Sequence, residues 1–94
     1  MKIDFEEIIA RVSSDLEKLD LEREQSYAGN GFPPKDAFYF IQSENVLSVF
    51  FSITCQKNSI LLLEKTYQKV YGENFDSHID KDDLLHNVEF RFYK

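Results

Sequence analysis

A single cysteine, Cys55, leaves this chain without an internal disulfide and without the thiolates for a four-cysteine zinc site. Stability must therefore come from packing. Long apolar runs are also missing. The longest are Val46 to Ile53, broken by two serines, and Ile60 to Leu63, far short of the roughly 20 residues that span a bilayer. The first seven residues alternate charged with apolar side chains and hold no uninterrupted apolar core, which argues against a signal peptide. A cytoplasmic protein is the expectation.

Positive charge is scarce. Eleven Lys and Arg face 17 Asp and Glu, for a net charge of −6. Residues 1–24 carry 4 positive and 8 negative side chains, residues 25–72 carry 4 and 3, and residues 73–94 carry 3 and 6, so the acid sits at the two ends. Binding to phosphate backbones needs clustered Lys and Arg to displace counterions, and this distribution disfavours direct contact with nucleic acid. It suits steering toward a basic partner, although an acidic surface is also a plain route to solubility.

What the chain does have is aromatic mass. Nine Phe and five Tyr in 94 residues, within a 43% apolar composition, supply a core and argue against disorder. The length allows one domain, 1–94, and no second core.

Residues 4–21 read as an amphipathic helix. Phe5, Ile8, Ile9, Val12, Leu16 and Leu19 recur at intervals of three and four, with Glu6, Arg11, Asp15, Lys18 and Glu22 opposite. Asp4 is the expected N-cap, and Glu7 is placed to close a capping box. From Glu24 to Lys35 the glycines, prolines and an Asn-Gly step predict a loop. Residues 36–43 and 46–54 read as strands of a hairpin turning at Glu44-Asn45. That register sets Phe38, Phe40 and Gln42 opposite Phe51, Val49 and Leu47 on a core face. Tyr39 then opposes Phe50, and Ile41 opposes Ser48, on the other.

A second helix is expected from an Asn58 or Ser59 cap to about Tyr71, with Leu62, Leu63, Thr66, Tyr67 and Val70 on one side and Gly72 as its stop. Residues 73–83 read as a charged connection. Val88, Phe90 and Phe92 alternate with Glu89, Arg91 and Tyr93 in a last strand. The expected fold is α+β in the order α-β-β-α-β: a three-stranded sheet, the hairpin plus the C-terminal strand, packed on one face by two helices. The second strand, second helix and last strand have the length of a crossover unit. In that packing the face with Tyr39, Ile41, Phe50 and Tyr93 stays uncovered, unless the long loop or a second copy of the chain lies over it.

Catalytic motifs fail on inspection. Cys55 with His78 and His86 is the only cysteine–histidine set, and no third residue orients it. Starting at Asp76, a calcium-loop reading puts Lys81 where glycine is needed and Asn87 where a bidentate carboxylate is needed. His78, Asp80, Asp82 and His86 do not have a recognised metal-ligand spacing. Gly29-Asn30-Gly31 lacks the rest of a phosphate-binding turn, and Glu6-Glu7 and Asp82-Asp83 are neighbouring surface carboxylates rather than an acid and a base. The expectation is no enzyme, no cofactor and no metal.

Surfaces remain. Asp76, Asp80, Asp82 and Asp83 form a candidate acidic contact, and Tyr39, Phe50, Tyr93 and the loop residue Phe32 are candidate aromatic anchors. Tyr27, Pro33 and Pro34 lie beside Phe32 in the same loop. Size and charge favour a small protein-binding inhibitor. Its most concrete form is a bacterial immunity protein that blocks the basic cleft of a cognate toxin such as a nuclease, sterically and electrostatically. The alternatives are a homo-oligomeric adaptor or regulatory subunit associating through the aromatic sheet face and, less favoured, a small cysteine or histidine enzyme.

Overall fold

The computed structural model describes residues 2–24, 36–54, 57–81 and 86–94. Helix α1 spans Phe5–Glu17. The Asp4 carboxylate accepts from the backbone N–H groups of Glu6 at 3.0 Å and Glu7 at 3.4 Å, supplying two of the partners that a helix start lacks. The helix stops four residues earlier than its periodicity suggests. There the Asp20 N–H returns to the Glu17 carbonyl at 3.0 Å and the Leu21 N–H to the Leu16 carbonyl at 3.2 Å, with Asp20 at φ 67°. Leu16 and Leu21 are both buried beneath this turn.

The sheet has five strands, not three. They are β1 (Glu22–Arg23), β2 (Ala37–Gln42), β3 (Val46–Ile53), β4 (Phe75–Lys81) and β5 (His86–Tyr93), in the spatial order β1-β2-β3-β5-β4. β1 runs parallel to β2, and every other pair is antiparallel. The β2–β3 hairpin has the expected register, with Phe38 opposite Phe51 and Gln42 opposite Leu47. Ser43 closes its turn, donating its N–H to the Val46 carbonyl at 2.8 Å.

The expected connection over 73–83 is where the reading fails. Gly72–Asn74 forms a short 3-10 turn, and Phe75–Lys81 is a strand. The crossover from β3 therefore lands on β4, which runs parallel to β3 at one remove. β5 then turns back and inserts between them, pairing with both. The alternation of Phe75, Ser77 and Ile79 with Asp76, His78 and Asp80 is the period of a strand, masked by a charge content usual for loops.

Helix α2 spans Lys57–Tyr71, so Asn58 and Ser59 sit inside its first turn rather than capping it. Its packing face also differs from the expected stripe. Ile60 and Tyr67 are buried, whereas Leu62 is 66% exposed and Val70 36% exposed. Gly72 takes the positive φ of 56° expected of the residue that ends the helix.

Both helices cover the same side of the sheet. Phe5, Ile8, Val12 and Leu16 from α1, with Ile60 and Tyr67 from α2, join the inward side chains of β2 to β5 in one core. Its centre is aromatic. The Tyr67 ring lies 5.7 to 5.8 Å from those of Phe75, Phe90 and Phe92, each edge-on, a geometry that sets ring edges against ring faces. The Tyr67 hydroxyl, fully enclosed, donates to the Asp15 carboxylate of α1 at 2.5 Å, and the Arg11 guanidinium lies 5.7 Å from the Tyr67 ring centre. Burial first, and then the Asp15 carboxylate, hold the phenol proton well above the usual tyrosine range. No helix among the described residues is long and apolar enough to cross a membrane.

Three outcomes are expected. Phe90→Ala removes the ring at the centre of the cluster and costs about 3–5 kcal/mol in denaturant unfolding. Asp20→Gly relieves a left-handed aspartate and raises stability by about 1 kcal/mol. Tyr67 keeps its proton when folded and loses it near the ordinary tyrosine pKa when unfolded. Its contribution is therefore complete below roughly pH 10 and fades as pH rises beyond that value. Tyr67→Phe should be about 1 kcal/mol less stable at neutral pH, yet lose less stability than the parent between neutral and strongly alkaline solution.

Candidate protein-binding surface

The side of the sheet turned away from the helices gathers every described residue that sequence reasoning marked for contact. The register builds it in rows. Tyr39 of β2 opposes Phe50 of β3, which opposes Glu89 of β5, which opposes His78 of β4. The next row runs Ile41, Ser48, Arg91, Asp76, and a third places Ser52, Asn87 and Asp80 together. Tyr93 lies opposite Val46 at the end of the sheet. Phe32, Asp82 and Asp83 fall outside the described residues, as do Cys55 and the loop residues Tyr27, Pro33 and Pro34.

This face is partly closed. Tyr39 is 7% exposed, and its ring stacks on Phe50 at 5.2 Å with 17° between the planes. Phe50 and Tyr93 are half-buried. Tyr39 is thus part of the packed structure and not a free anchor. Ile41, 53% exposed, is the apolar side chain this face presents most fully. Asp76, His78 and Asp80 are exposed along β4.

Two polar contacts stabilise the middle of the face. Glu89 is only 8% exposed, and its carboxylate accepts from Arg91 twice, from Nε at 2.5 Å and from a terminal nitrogen at 3.1 Å. Such a forked pair supplies the partners that a buried carboxylate needs. The Glu89 hydrogen bond, and then one to Tyr93, raise the Arg91 pKa further above its already high value. Beside this pair, the buried Ser52 hydroxyl donates to the Asn87 side-chain oxygen at 2.7 Å. Sequence reasoning did not single out Glu89 or Arg91. Their spacing of two in a strand, which puts both on one face, is the signal that was there to find.

A cleft of about 590 Å³ opens on the opposite, helix-bearing side, where the start of α2 meets the ends of β3 and β4 and the start of β5. Ile53, Ile60, Leu61, Ile79 and Val88 make its apolar wall, and Lys57, Asp80 and His86 also line it. His86 Nδ1 is buried there without a hydrogen-bond partner among the described residues. The register separates the two histidines, since His78 shares the outer face with Glu89 whereas His86 pairs with Ile53 in the inward row. Among the described residues no group of three or more His, Cys, Asp and Glu side chains could hold a metal ion.

No protein-family model matches this chain, and neither does any curated protein or solved structure.

Replacing Arg91 strands the buried Glu89 carboxylate. Arg91→Val is expected to cost about 1–3 kcal/mol in urea unfolding, and adding Glu89→Val to the same chain should recover part of that loss.

Proposed function

We propose that this chain is a small acidic protein-binding inhibitor, most concretely a bacterial immunity protein that neutralises a cognate toxin by covering a basic surface such as the cleft of a nuclease. The observation that carries the reading is the placement of Asp76 and Asp80. Both are exposed on the β4 flank of the outer face, which also carries half-buried Tyr93 and Phe50 and, on β2 across the sheet, exposed Ile41. Carboxylates there can stand in for substrate phosphates, and the net charge of −6 steers the chain toward a cationic partner. Inhibition is then by occlusion and needs no chemistry from the inhibitor. The reading carries with it a cytoplasmic location, where such a toxin acts on its own cell.

Co-expression with the product of a neighbouring gene, where the toxin of an immunity protein is expected, tests the proposal. Restored growth together with a stable equimolar complex is expected, and a toxin that kills unimpeded would sink it. Asp76→Lys with Asp80→Lys should slow association by about tenfold at low salt and by much less at high salt, because steering is screened by ions.

A further inference from the structure

The two edges of the sheet differ in a way that bears on how a partner is held. β1 is two residues long, a length that itself limits pairing with another chain. β4 has seven residues and, among the described residues, pairs only with β5. The direction of its backbone groups follows from the ladder. Lys94 donates its N–H to the Asn45 carbonyl at 3.0 Å, and hydrogen-bonded pairs in an antiparallel ladder recur at every second residue. Phe92, Phe90 and Val88 therefore bond to β3, and Arg91, Glu89 and Asn87 bond to Asp76, His78 and Asp80 of β4. The N–H and C=O groups of Ser77 and Ile79 are left pointing out of the sheet.

Some of this edge is already occupied. The Phe75 N–H bonds to the Gly72 carbonyl, and the Ser77 N–H bonds to the Asp76 carboxylate at 2.9 Å. Among the described residues no partner meets the N–H and C=O of Ile79 or the C=O of Ser77. Charged side chains flanking an edge commonly serve only to keep other strands away. Here the outer row of β4 carries two exposed carboxylates, Asp76 and Asp80, on either side of His78, and these repel an acidic strand and attract a basic one.

We infer that the β4 edge receives an extended, basic segment of the partner protein as an added antiparallel strand centred on Ile79. This rests on the reading of the chain as a protein-binding inhibitor and specifies how the partner is held. The segment exchanges two backbone hydrogen bonds with Ile79 and donates a third to the Ser77 carbonyl. Its chemistry follows from the register. The residue paired with Ile79 is apolar and extends the wall that Ile79 forms with Leu61. The residue before it faces Asp80 and is Lys or Arg. The residue three positions after it faces Asp76 and is also Lys or Arg, giving two basic residues four apart on the outer face. The position between these two that faces Ser77 is small.

The test is titration of the isotope-labelled chain with a blocked heptapeptide reading threonine, lysine, valine, threonine, serine, lysine, threonine, and with the same peptide carrying glutamate for both lysines. With the lysine peptide, amide hydrogen exchange at Ile79 should slow by about tenfold or more, while the glutamate peptide leaves it unchanged. Ile79→Pro removes the outward N–H without touching a bond to β5, and should weaken binding by about tenfold or more. Should that variant not fold, Asp76→Lys with Asp80→Lys serves instead, and it should exchange preference from the lysine to the glutamate peptide.

Equal binding of both peptides, or no protection of Ile79 at millimolar peptide, overturns the inference. So does perturbation confined to Ile41, Val46 and Tyr93. Concentration-dependent protection of Ile79 without peptide also overturns it, because the occupant is then a second copy of the chain. Growth rescue by an Ile79→Pro chain would leave the inhibitor reading standing while removing this mode of holding the partner. Loss of rescue by the parent chain removes the reading itself.

Discussion

Strand β5 is the constraint on which the rest of the structure depends. It is the strand that joins the hairpin β2–β3 to β4, hydrogen-bonding along both of its sides. Its inward residues Val88, Phe90 and Phe92 are fully buried, and two of these rings meet Tyr67 of α2 edge-on. Tyr67 in turn ties α2 to α1 through Asp15. One strand thus connects the sheet, the second helix and, through a single phenol, the first. Its pairing with β4 is local in sequence, whereas its pairing with β3 spans the whole of α2 and β4, so the loop-closure cost of the sheet falls on the β3–β5 contact.

The same strand shapes the outer face. A residue of β5 that does not face the helices must face away from them, so Glu89 and Arg91 share that side with Tyr39 and Phe50. A carboxylate 8% exposed beside aromatic rings requires a partner, and Arg91 supplies two hydrogen bonds. This leaves the flank formed by β4 to carry the exposed acids. The face is divided into a packed aromatic and ion-paired centre, an acidic side along β4 and an exposed Ile41 on β2. The acidic side carries exposed carboxylates and, among the described residues, outward backbone groups without a strand partner.

Much of the local structure was legible in the chain. The α1 stripe, the Asp4 cap, the β2–β3 register and the outward placement of Tyr39, Phe50 and Tyr93 all follow from short-range rules. The misses have separate causes. Residues 73–83 were read as a connection because acids outnumber apolar side chains there, whereas their period of two is a strand's. In α2, spacing put Leu62 and Val70 on one side with Leu63, Thr66 and Tyr67, but burial on a helix is decided by what faces it, and the sheet meets Ile60 and Tyr67. Whether Tyr39 lies in the open was left undecided by the sequence, and it is buried, a fact about its neighbours that its own strand does not encode.

Residue order by itself determined the α+β composition, the helix start at Asp4, the hairpin with its two faces, and the poverty in cationic charge that disfavours contact with phosphate backbones. These rest on interactions among residues close in sequence, or on sums over the chain. Tertiary structure alone decided that β5 lies between β3 and β4, that Glu89 is buried and needs Arg91, and that Ser77 and Ile79 lie on an edge which no other described strand pairs. Each of these depends on which distant segments become neighbours. That choice is made by the shared burial of Phe75, Phe90, Phe92 and Tyr67, which no local window of the sequence contains.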